Sequence, residues 1–396
     1  VITSFAVRQE APALPAGAKG AATLRPHRIA IGLYDLQDDC QGTSLVRVDR
    51  IELDVDGELT GVPELLGRPR PAVVLLNDDD LSYAKIRLDE ESLRAVTTHL
   101  GDFASSLPRA LCWAAAWDMT RDAELPTRAY LDLVLSGIAK ESDIGVVQSL
   151  HRQVKLALDL YAAPAWREAG LTRWTEATLA HLRAAEAGSD HQLAWARAFA
   201  ATARTPEQLD LLQALLEGTR TIEGLAVDTE LRWAFVHRLA AVGRYDDAEV
   251  AAEYARDRTA AGERHAATAR AARPTAEAKA EAWASVVESD KLPNALQEAV
   301  INGSCSRRTF RGTSPWSRTS GTPGPTMWGR TSREVSTPRS RSRRRRSRPP
   351  TSGWPPRRRA RHCGAWCPSH APAWSGHCGP RRRTGSPRQG AGPAPR

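Results

Sequence analysis

The stretch Thr205–Glu217, TPEQLDLLQALLE, decides the fold class of this 396-residue chain. Thr205 can cap a helix N-terminus, Pro206 suits the first helical position, and Glu207 places an acid in the first turn. The leucines that follow recur at the 3.6-residue spacing of a single helix face. They are Leu209, Leu212, Leu215 and Leu216. The stretch therefore predicts an amphipathic helix with one buried face.

The same spacing extends in both directions over residues 89–302. A second apolar face comprises Val147, Leu150, Val154, Leu158 and Tyr161, and a third comprises Leu231, Phe235, Val236 and Leu239. Short breaks, each containing a proline, divide the region at Ser106-Leu107-Pro108, Leu125-Pro126, Ala163-Pro164, Thr205-Pro206 and Ala272-Arg273-Pro274. About a dozen helices with short links predict an irregular α-solenoid of stacked helix pairs, similar to HEAT or armadillo arrays.

Residues 1–88 show instead the period-2 alternation of half-buried strands. The alternating apolar positions are Ile29, Ile31 and Leu33, and then Ile51, Leu53 and Val55. Two further runs, 73–76 and 83–88, flank the acidic turn 77–80 and are predicted strands. The sequence therefore predicts a mixed fold with three parts: a small antiparallel β-sandwich over 1–88, an all-α solenoid over 89–302, and a disordered Arg/Pro/Ser-rich tail over 303–396.

Charge divides the chain at the same place as composition. Residues 1–302 hold 33 Lys and Arg against 45 Asp and Glu, whereas residues 303–396 hold 22 Arg, no Lys and one acid, Glu334. Only Cys40 and Cys112 precede the tail, so no disulfide framework is predicted and a reducing cytoplasm is expected. The absence of a run of ~20 apolar residues excludes a membrane-spanning helix.

Three hypotheses account for the tail. The arginine run 341–348 favours a nucleic-acid-binding arm, because clustered Arg neutralises phosphates and stacks on bases. Cysteine and histidine provide zinc-ligand types, but the second half of the set lacks paired spacing. That set is Cys363, Cys367, His370, His377 and Cys378. The third hypothesis, which we favour, is that the sequence after about residue 303 is translated in a shifted reading frame. From the Arg361 codon onward, the alternative frame can encode a mixed-charge amphipathic helix.

Two acidic groups are candidate sites. Asp78, Asp79 and Asp80 could bind a cation, but consecutive side chains cannot all face one ion, so a solvated turn is the favoured interpretation. Asp118 and Asp122 have the i, i+4 spacing that places two acids on one helix face. A general acid–base pair would need a cleft and shifted pKa values, so a structural salt-bridge network is predicted.

Aromatic residues, histidines and one cysteine of the helical region have simple structural interpretations. The tryptophans are predicted packing anchors: Trp113, Trp117, Trp174, Trp195, Trp233 and Trp283. The histidines His151, His181 and His237 are predicted to hydrogen-bond between helices rather than to bind metal. Cys112, between Leu111 and Trp113, is predicted to be a buried thiol rather than a nucleophile.

Several motifs together resemble the C-terminal region of the zinc aminopeptidases of peptidase family M1, the aminopeptidase N group of actinobacterial type. They are Leu107–Trp113 continuing through Trp117–Asp122, the segment Leu75–Lys85, and Ala271–Thr275 with Lys279 and Trp283. The resemblance covers residues 1–302. It implies a parent enzyme that binds zinc and peptide substrates and releases N-terminal amino acids, with a helical domain that caps the active site.

The catalytic motifs of that family are absent from this chain. None of the ten histidines is followed by Glu, no two are spaced i, i+4 as in HExxH, and no GAMEN-like string occurs. The chain is therefore expected to be a C-terminal fragment, inactive alone and cytoplasmic, whose catalytic residues lie upstream of Val1. No catalytic, cofactor-binding or metal-binding residue is assigned. The alternatives are a non-enzymatic solenoid that binds peptide or protein and, if the Arg-rich tail is genuine, a nucleic-acid binder.

Overall fold

A computed structural model of the chain describes residues 1–11, 23–40 and 42–305. Five strands precede twelve α-helices in the described part. The strands are β1 Ala6–Arg8, β2 His27–Asp39, β3 Gly42–Val55, β4 Leu59–Gly61 and β5 Val73–Leu76. The helices are α1 Glu90–His99, α2 Ser106–Arg121, α3 Thr127–Gly137, α4 Ile144–Leu156, α5 Pro164–Ala184, α6 Asp190–Thr202, α7 Pro206–Glu217, α8 Thr229–Ala241, α9 Asp247–Arg256, α10 Ala260–Ala272, α11 Ala276–Val287 and α12 Asn294–Ser304.

The strands form two small antiparallel sheets. β1 pairs with β4, and β2 lies between β3 and β5 in a three-stranded sheet. The register places Ile29 opposite Leu53 and Ile31 opposite Ile51, so the alternating apolar positions of the sequence meet across one pair of strands. A shared core joins both sheets: Ile2, Val7, Ile29, Ile31, Leu33, Val55, Val62, Leu65 and Val74. The predicted antiparallel fold of this region is confirmed.

The predicted strand at 83–88 was wrong. After β5 and the acidic turn, residues 81–89 run to α1 without pairing as a strand. Ile86 and Leu88 are nevertheless buried, in the core that the helices share. Lys85 and Arg87 point the other way and form ion pairs with the end of α2. The period-2 alternation is real, but a helical surface and not a neighbouring strand satisfies it.

The helix boundaries follow the capping residues of the sequence. Thr205 begins α7 with a capping box: its hydroxyl accepts from the Gln208 amide, and the Gln208 side chain accepts from the Thr205 amide. Gly218 ends the same helix in the left-handed conformation, φ 75°. Pro164 and Pro206 each stand in the first turn of a helix, as the proline-containing breaks predict.

The helices pack in the manner of an irregular solenoid. One row runs through the contacts α4–α6, α6–α8, α8–α10 and α10–α12, and another through α1–α3 and α3–α5. Consecutive helices also pack, as α5 does on α6 and α7 on α8. One apolar core runs from Tyr34 and Val73 in the sheet to Ala269 in α10. The predicted mixed fold is confirmed for the described residues, and the predicted disordered tail lies outside them.

Two loops of neighbouring layers meet backbone to backbone. Gly188, between α5 and α6, and Gly224, between α7 and α8, both have positive φ, at 77° and 75°. A Cβ at Gly224 would collide with the backbone of Ala187 and Gly188. Gln192 fixes the contact, since its Oε1 accepts from the Gly188 amide and its Nε2 donates to the Glu223 carbonyl, at 2.9 and 2.8 Å. Glycine is therefore required at Gly224 by both conformation and space.

The helices in the described part of the chain include no candidate membrane span. None of them is both long enough and apolar enough to cross a bilayer.

Candidate functional site

An open cavity of about 610 Å³ lies where the C-terminal end of α7 meets α8 and α9. Its lining combines an apolar wall with charged groups, as sites that bind small or peptide ligands often do. The apolar wall comprises Leu215, Leu216, Ile222, Leu225 and Val227, and the charged groups include Glu217, Arg220, Glu249 and Arg256. The cavity is therefore a candidate binding site of the helical domain.

An ion pair in the cavity wall joins three helices. Arg232 on α8 donates from Nε and Nη2 to the two carboxylate oxygens of Glu253 on α9, at 2.6 and 2.7 Å. Its Nη1 donates to the Leu216 carbonyl at the end of α7, at 2.8 Å. The hydrogen bonds that Arg232 donates to Glu253 raise the pKa of Arg232, although burial opposes this. The pair is thus neutralised within the wall and holds the three helices in register.

The remaining charged groups of the cavity are less constrained. Arg220 and Arg256 make no ion pair with any residue that the structure describes. Burial raises the pKa of Tyr245, and the nearby Glu217 and Glu249 carboxylates raise it further. The lining holds no His, Cys or Ser.

The predicted solvated turn was wrong for Asp78, which is buried, whereas Asp79 is half-buried and Asp80 is exposed. Asp78 is 1% exposed and accepts hydrogen bonds from the Tyr34 hydroxyl at 2.8 Å and from Arg47 Nη1 at 2.9 Å. Asp79 accepts from Arg47 at 2.9 Å and from Arg50 Nε at 2.6 Å. Hydrogen bonds from these two arginines lower the pKa of Asp79, although partial burial opposes them. The carboxylates bind arginines of β3, and they fasten the turn after β5 to the sheet instead of holding a cation.

Asp118 and Asp122 do not act together. Asp122 pairs with Lys85 Nζ at 2.9 Å and with Arg87 Nη2 at 2.5 Å, and Arg87 also binds Glu124. Hydrogen bonds from Lys85 and Arg87 lower the pKa of Asp122. Asp118 forms no ion pair with a described residue. The predicted salt-bridge network exists around Asp122 alone, and it fastens the segment before α1 to the end of α2.

The tryptophans are packing anchors, as predicted. Trp113, Trp174, Trp195 and Trp233 are buried, and Trp117 and Trp283 are half-buried. Trp174 and Trp233, at 1% and 0% exposed, are among the largest fully buried side chains that the structure describes. They fill the space between helix layers.

Histidines and tryptophans of α4, α5 and α6 form a group that we name the Trp195 cluster. It comprises His151, Trp174, His181, His191 and Trp195. The His181 ring stacks on Trp195 with centroids 4.4 Å apart and planes at 20°, and the His151 ring lies 4.4 Å from Trp195 at 52°. The Nε2 atoms of His151 and His191 are buried without a hydrogen-bond partner among the described residues. The predicted interhelical hydrogen bond was wrong for His151, because aromatic rings occupy its surroundings.

A second group, which we name the Trp233 cluster, lies one layer further along the row. It comprises Glu230, Trp233, His237, Asp257 and His265. His265 stacks on Trp233 at 5.5 Å and 18°, and His237 Nε2 lies 3.1 Å from the His265 carbonyl oxygen. Trp233 Nε1 donates to Asp257 at 2.9 Å, and Glu230 pairs with His265 at 3.4 Å. The predicted interhelical hydrogen bond is confirmed for His237.

A buried ion pair near the sheet was not predicted from the sequence. Arg109 on α2 donates to both carboxylate oxygens of Glu141, at 3.3 and 3.2 Å, and Trp113 Nε1 donates to Glu141 at 3.1 Å. Glu141 is 4% exposed and Arg109 is 8% exposed. The sequence feature that could have indicated this ion pair is Arg109 itself, an arginine within the apolar start of α2. Cys112, on the same helix, is buried as predicted, and burial raises the pKa of its thiol.

Metal binding has no support among residues 1–11, 23–40 and 42–305. No group of three or more His, Cys, Asp or Glu side chains in these ranges could hold a metal ion. The described residues therefore do not fit a zinc centre, and no catalytic step is derived through zinc. The candidate zinc ligands and the arginine run of the tail lie outside the described residues.

Comparison with known proteins identifies the helical region. The family model of the ERAP1-like C-terminal domain matches residues 73–318, more than half of the chain, and the chain belongs to this family. The match begins at β5 and includes α1 to α12. The chain is also similar to the Aminopeptidase N of Streptomyces lividans, with 83% identity over 303 residues, which are 76% of this chain and 35% of that relative.

The chain thus spans about a third of the relative's length, and it corresponds to the C-terminal part of that protein. These matches confirm the resemblance to the C-terminal region of the M1 aminopeptidases that the sequence motifs indicate.

Proposed function

We propose that this chain is the non-catalytic C-terminal region of a zinc aminopeptidase that releases N-terminal amino acids from peptides. The observation that carries the proposal is the 83% identity to a protein named Aminopeptidase N. Zinc binding and attack on the peptide bond then belong to the remainder of such an enzyme, since the described residues do not fit a metal centre. The helical domain caps the active site and limits which peptides enter. The chain alone is inactive.

A chimera tests this proposal. The matching 303-residue segment of the Streptomyces lividans enzyme is replaced by that of this chain, and hydrolysis of an aminoacyl-coumarin is measured with the relative itself as reference. We expect the chimera to be active and the full 396-residue chain alone, with added zinc, to be inactive. The matched control is the relative truncated before the exchanged segment.

Two outcomes would overturn the proposal. One is metal-dependent turnover by the 396-residue chain alone. The other is a chimera that is folded by circular dichroism and binds zinc stoichiometrically but has no more activity than the truncated control. The thermal unfolding transition of the chimera shows separately whether it is folded. A second chimera, exchanged from β5 onward where the family match begins, repeats the test.

The cavity between α7, α8 and α9 favours a second candidate function, a helical solenoid that binds peptide without catalysis. Arg220 and Arg256 give its rim two cations, beside an apolar wall. Fluorescence anisotropy with labelled acidic, basic and neutral peptides on the full chain tests this. We expect Arg256→Glu to weaken binding of an acidic peptide at least fivefold and Arg94→Glu, on the exposed face of α1, to leave it unchanged. Equal binding by all three proteins would contradict this function.

We also propose that the residues after about 303 are out of frame, that the domains divide at 88 and 302, and that the protein is cytoplasmic. The abrupt change to 22 arginines without lysine supports the first. Free thiols at Cys40, Cys112 and Cys305 support the last. Resequencing the DNA from upstream of the Val1 codon through the stop tests the frame, and confirmation of the printed reading would favour the nucleic-acid hypothesis for the tail.

A further inference from the structure

Two neighbouring layers of the solenoid repeat one arrangement, a tryptophan with a histidine stacked on it. In the Trp195 cluster the stacked ring is His181 of α5, and in the Trp233 cluster it is His265 of α10. A second histidine approaches each tryptophan at a wider angle, at 52° for His151 and 39° for His237. Both tryptophans lie on the same helix row, since α6 packs on α8. The two clusters are therefore natural counterparts.

The two clusters differ in charge. The Trp233 cluster has two carboxylates, Glu230 beside His265 and Asp257 beside Trp233. A proton on His265 therefore finds a compensating negative charge, whereas burial and the neighbouring His265 lower the pKa of His237 to about 4. In the Trp195 cluster the charged groups that act on His151 come from all three packed helices, and none is acidic. They are Arg152 of α4, His181 of α5 and His191 of α6.

The histidines of the two clusters also differ in their hydrogen bonds. His237 Nε2 bonds to a backbone carbonyl, whereas the Nε2 atoms of His151 and His191 are buried with no partner among the described residues. A proton added to either of these atoms would create a buried donor without an acceptor, in surroundings of aromatic rings. Such a group is costly unless it reaches water, so it favours any opening that hydrates it.

We propose that the Trp195 cluster is an acid-sensitive seam: when its histidines take up protons, α4 separates from α5 and α6 before the Trp233 cluster, one layer away, opens. The device is a titrating contact between helices, whose closed and open forms bind different numbers of protons. It provides the helical domain with one layer that opens before the others.

The direction of the pH dependence follows from burial. Desolvation is the main cause that lowers the pKa of His151 to about 3, and it also lowers that of His181, whereas an exposed histidine titrates near 6.5. The closed seam therefore binds protons less readily than the open one. Its stability is complete above about pH 6.5 and falls as the pH drops below that value.

Hydrogen–deuterium exchange followed by mass spectrometry tests the proposal on the full chain. Exchange is measured from about pH 7 down to about pH 4 and corrected for the intrinsic rate of each peptide. We expect α4 and α6 to lose protection at a higher pH than α8 and α10. His151→Phe keeps a flat ring but cannot titrate, so it should lower the midpoint of the α4 transition by about one pH unit.

His27→Gln, on β2, is the matched control and should leave the midpoint unchanged. The proposal is wrong if α4, α6, α8 and α10 open together, or if His151→Phe has the same midpoint as the unmodified chain. Should His151→Phe fail to fold, imidazole proton resonances of the unmodified chain decide: a His151 pKa below about 5 supports the seam, and a value near 6.5 overturns it.

Discussion

Two regions of the chain are held together by different interactions. One, which we call the junction, comprises the acidic turn after β5 and the helices α1 to α3 with their loops, and the other comprises the layers from α6 to α10. At the junction, Glu141 accepts from Arg109 and Trp113, and Asp78 accepts from Tyr34 and Arg47. In the layers, buried apolar residues such as Leu212, Phe235, Val236 and Leu239 dominate, at 0–1% exposed. The junction buries polar and charged side chains in its turns and loops, and these groups need hydrogen-bond partners. The surfaces between the layers are mainly apolar, and the Arg232–Glu253 ion pair adds directed hydrogen bonds to this packing.

The largest expected effect is at the junction. Glu141→Ala leaves Arg109 buried without its carboxylate and Trp113 Nε1 without its acceptor, so we expect a loss of about 3–5 kcal/mol in unfolding free energy. Urea denaturation followed by circular dichroism measures it. Glu90→Ala, which removes an exposed i, i+4 partner of Arg94, is the control and should change stability by less than about 0.5 kcal/mol. A loss below about 1 kcal/mol for Glu141→Ala would remove the distinction between the two regions.

The matching test in the layers is Leu212→Ala. Leu212 is fully buried on α7, and its truncation should cost about 3 kcal/mol through lost burial and an unfilled cavity. Leu160→Ala, at a side chain 40% exposed, is the control with the same chemical change. The comparison is sharpened by adding 1 M salt, which screens charges to within about 3 Å. The Leu212→Ala loss should be unaffected by salt, and a strong salt dependence would contradict packing as its cause.

Acid should weaken the two regions in different pH windows. In the layers, burial lowers the pKa of His237 to about 4, so stability is complete above about pH 6.5 and declines as the pH falls towards 4. At the junction, burial opposes ionisation of Asp102, but hydrogen bonds from Lys140 and His99 keep its pKa below the usual value. That contribution is present above about pH 4 and is lost below it.

Unfolding free energies at several pH values measure both windows. His237→Phe should reduce the decline between about pH 6.5 and 4, to which the Trp195 cluster also contributes, and leave the decline below pH 4 intact. Asp102→Asn should reduce only the lower decline. We expect each effect to be on the order of 1–2 kcal/mol. A single decline that neither variant alters would show that the two regions respond to acid through other groups.

The smallest effect is expected at a helix cap. Thr205→Ala removes the acceptor for the Gln208 amide and should destabilise the layers by about 1 kcal/mol. Thr205→Ser keeps the hydroxyl and should be nearly neutral. Chemical denaturation resolves this difference when the three proteins are measured in parallel. A loss in Thr205→Ser equal to that in Thr205→Ala would assign the effect to the lost methyl group.

The layers were largely predictable from the sequence, and the junction was not. The cap at Thr205, the proline-led helix starts and the buried leucine face of α7 depend on residues within a few positions of one another, so local patterns determine them. The burial of Asp78 depends on Tyr34 and Arg47, which lie 44 and 31 residues away along the chain. An acidic triplet is usually solvated, and nothing local distinguishes this one.

The role of Gly32 was likewise not predictable from the sequence. Its missing side chain makes room for the Asp78 carboxylate, which a Cβ there would strike. In the sequence it is only a glycine inside a strand. Likewise, the alternation of Ile86 and Leu88 correctly predicted which side chains are buried but not what covers them. A period-2 pattern reports one covered side, and only the three-dimensional arrangement decides whether a strand or a helix covers it.

The glycine contact between the loops at Gly188 and Gly224 limits how closely the α5–α6 and α7–α8 layers can approach each other. Two layers whose backbones touch cannot come closer together. The angle between these layers therefore depends on this contact. A methyl group at Gly224 would push the two loops apart and tilt the α7–α8 layer. The helices from α8 to α12 would tilt with it. A change of one methyl group at this loop contact would therefore displace α12 further than it displaces α8.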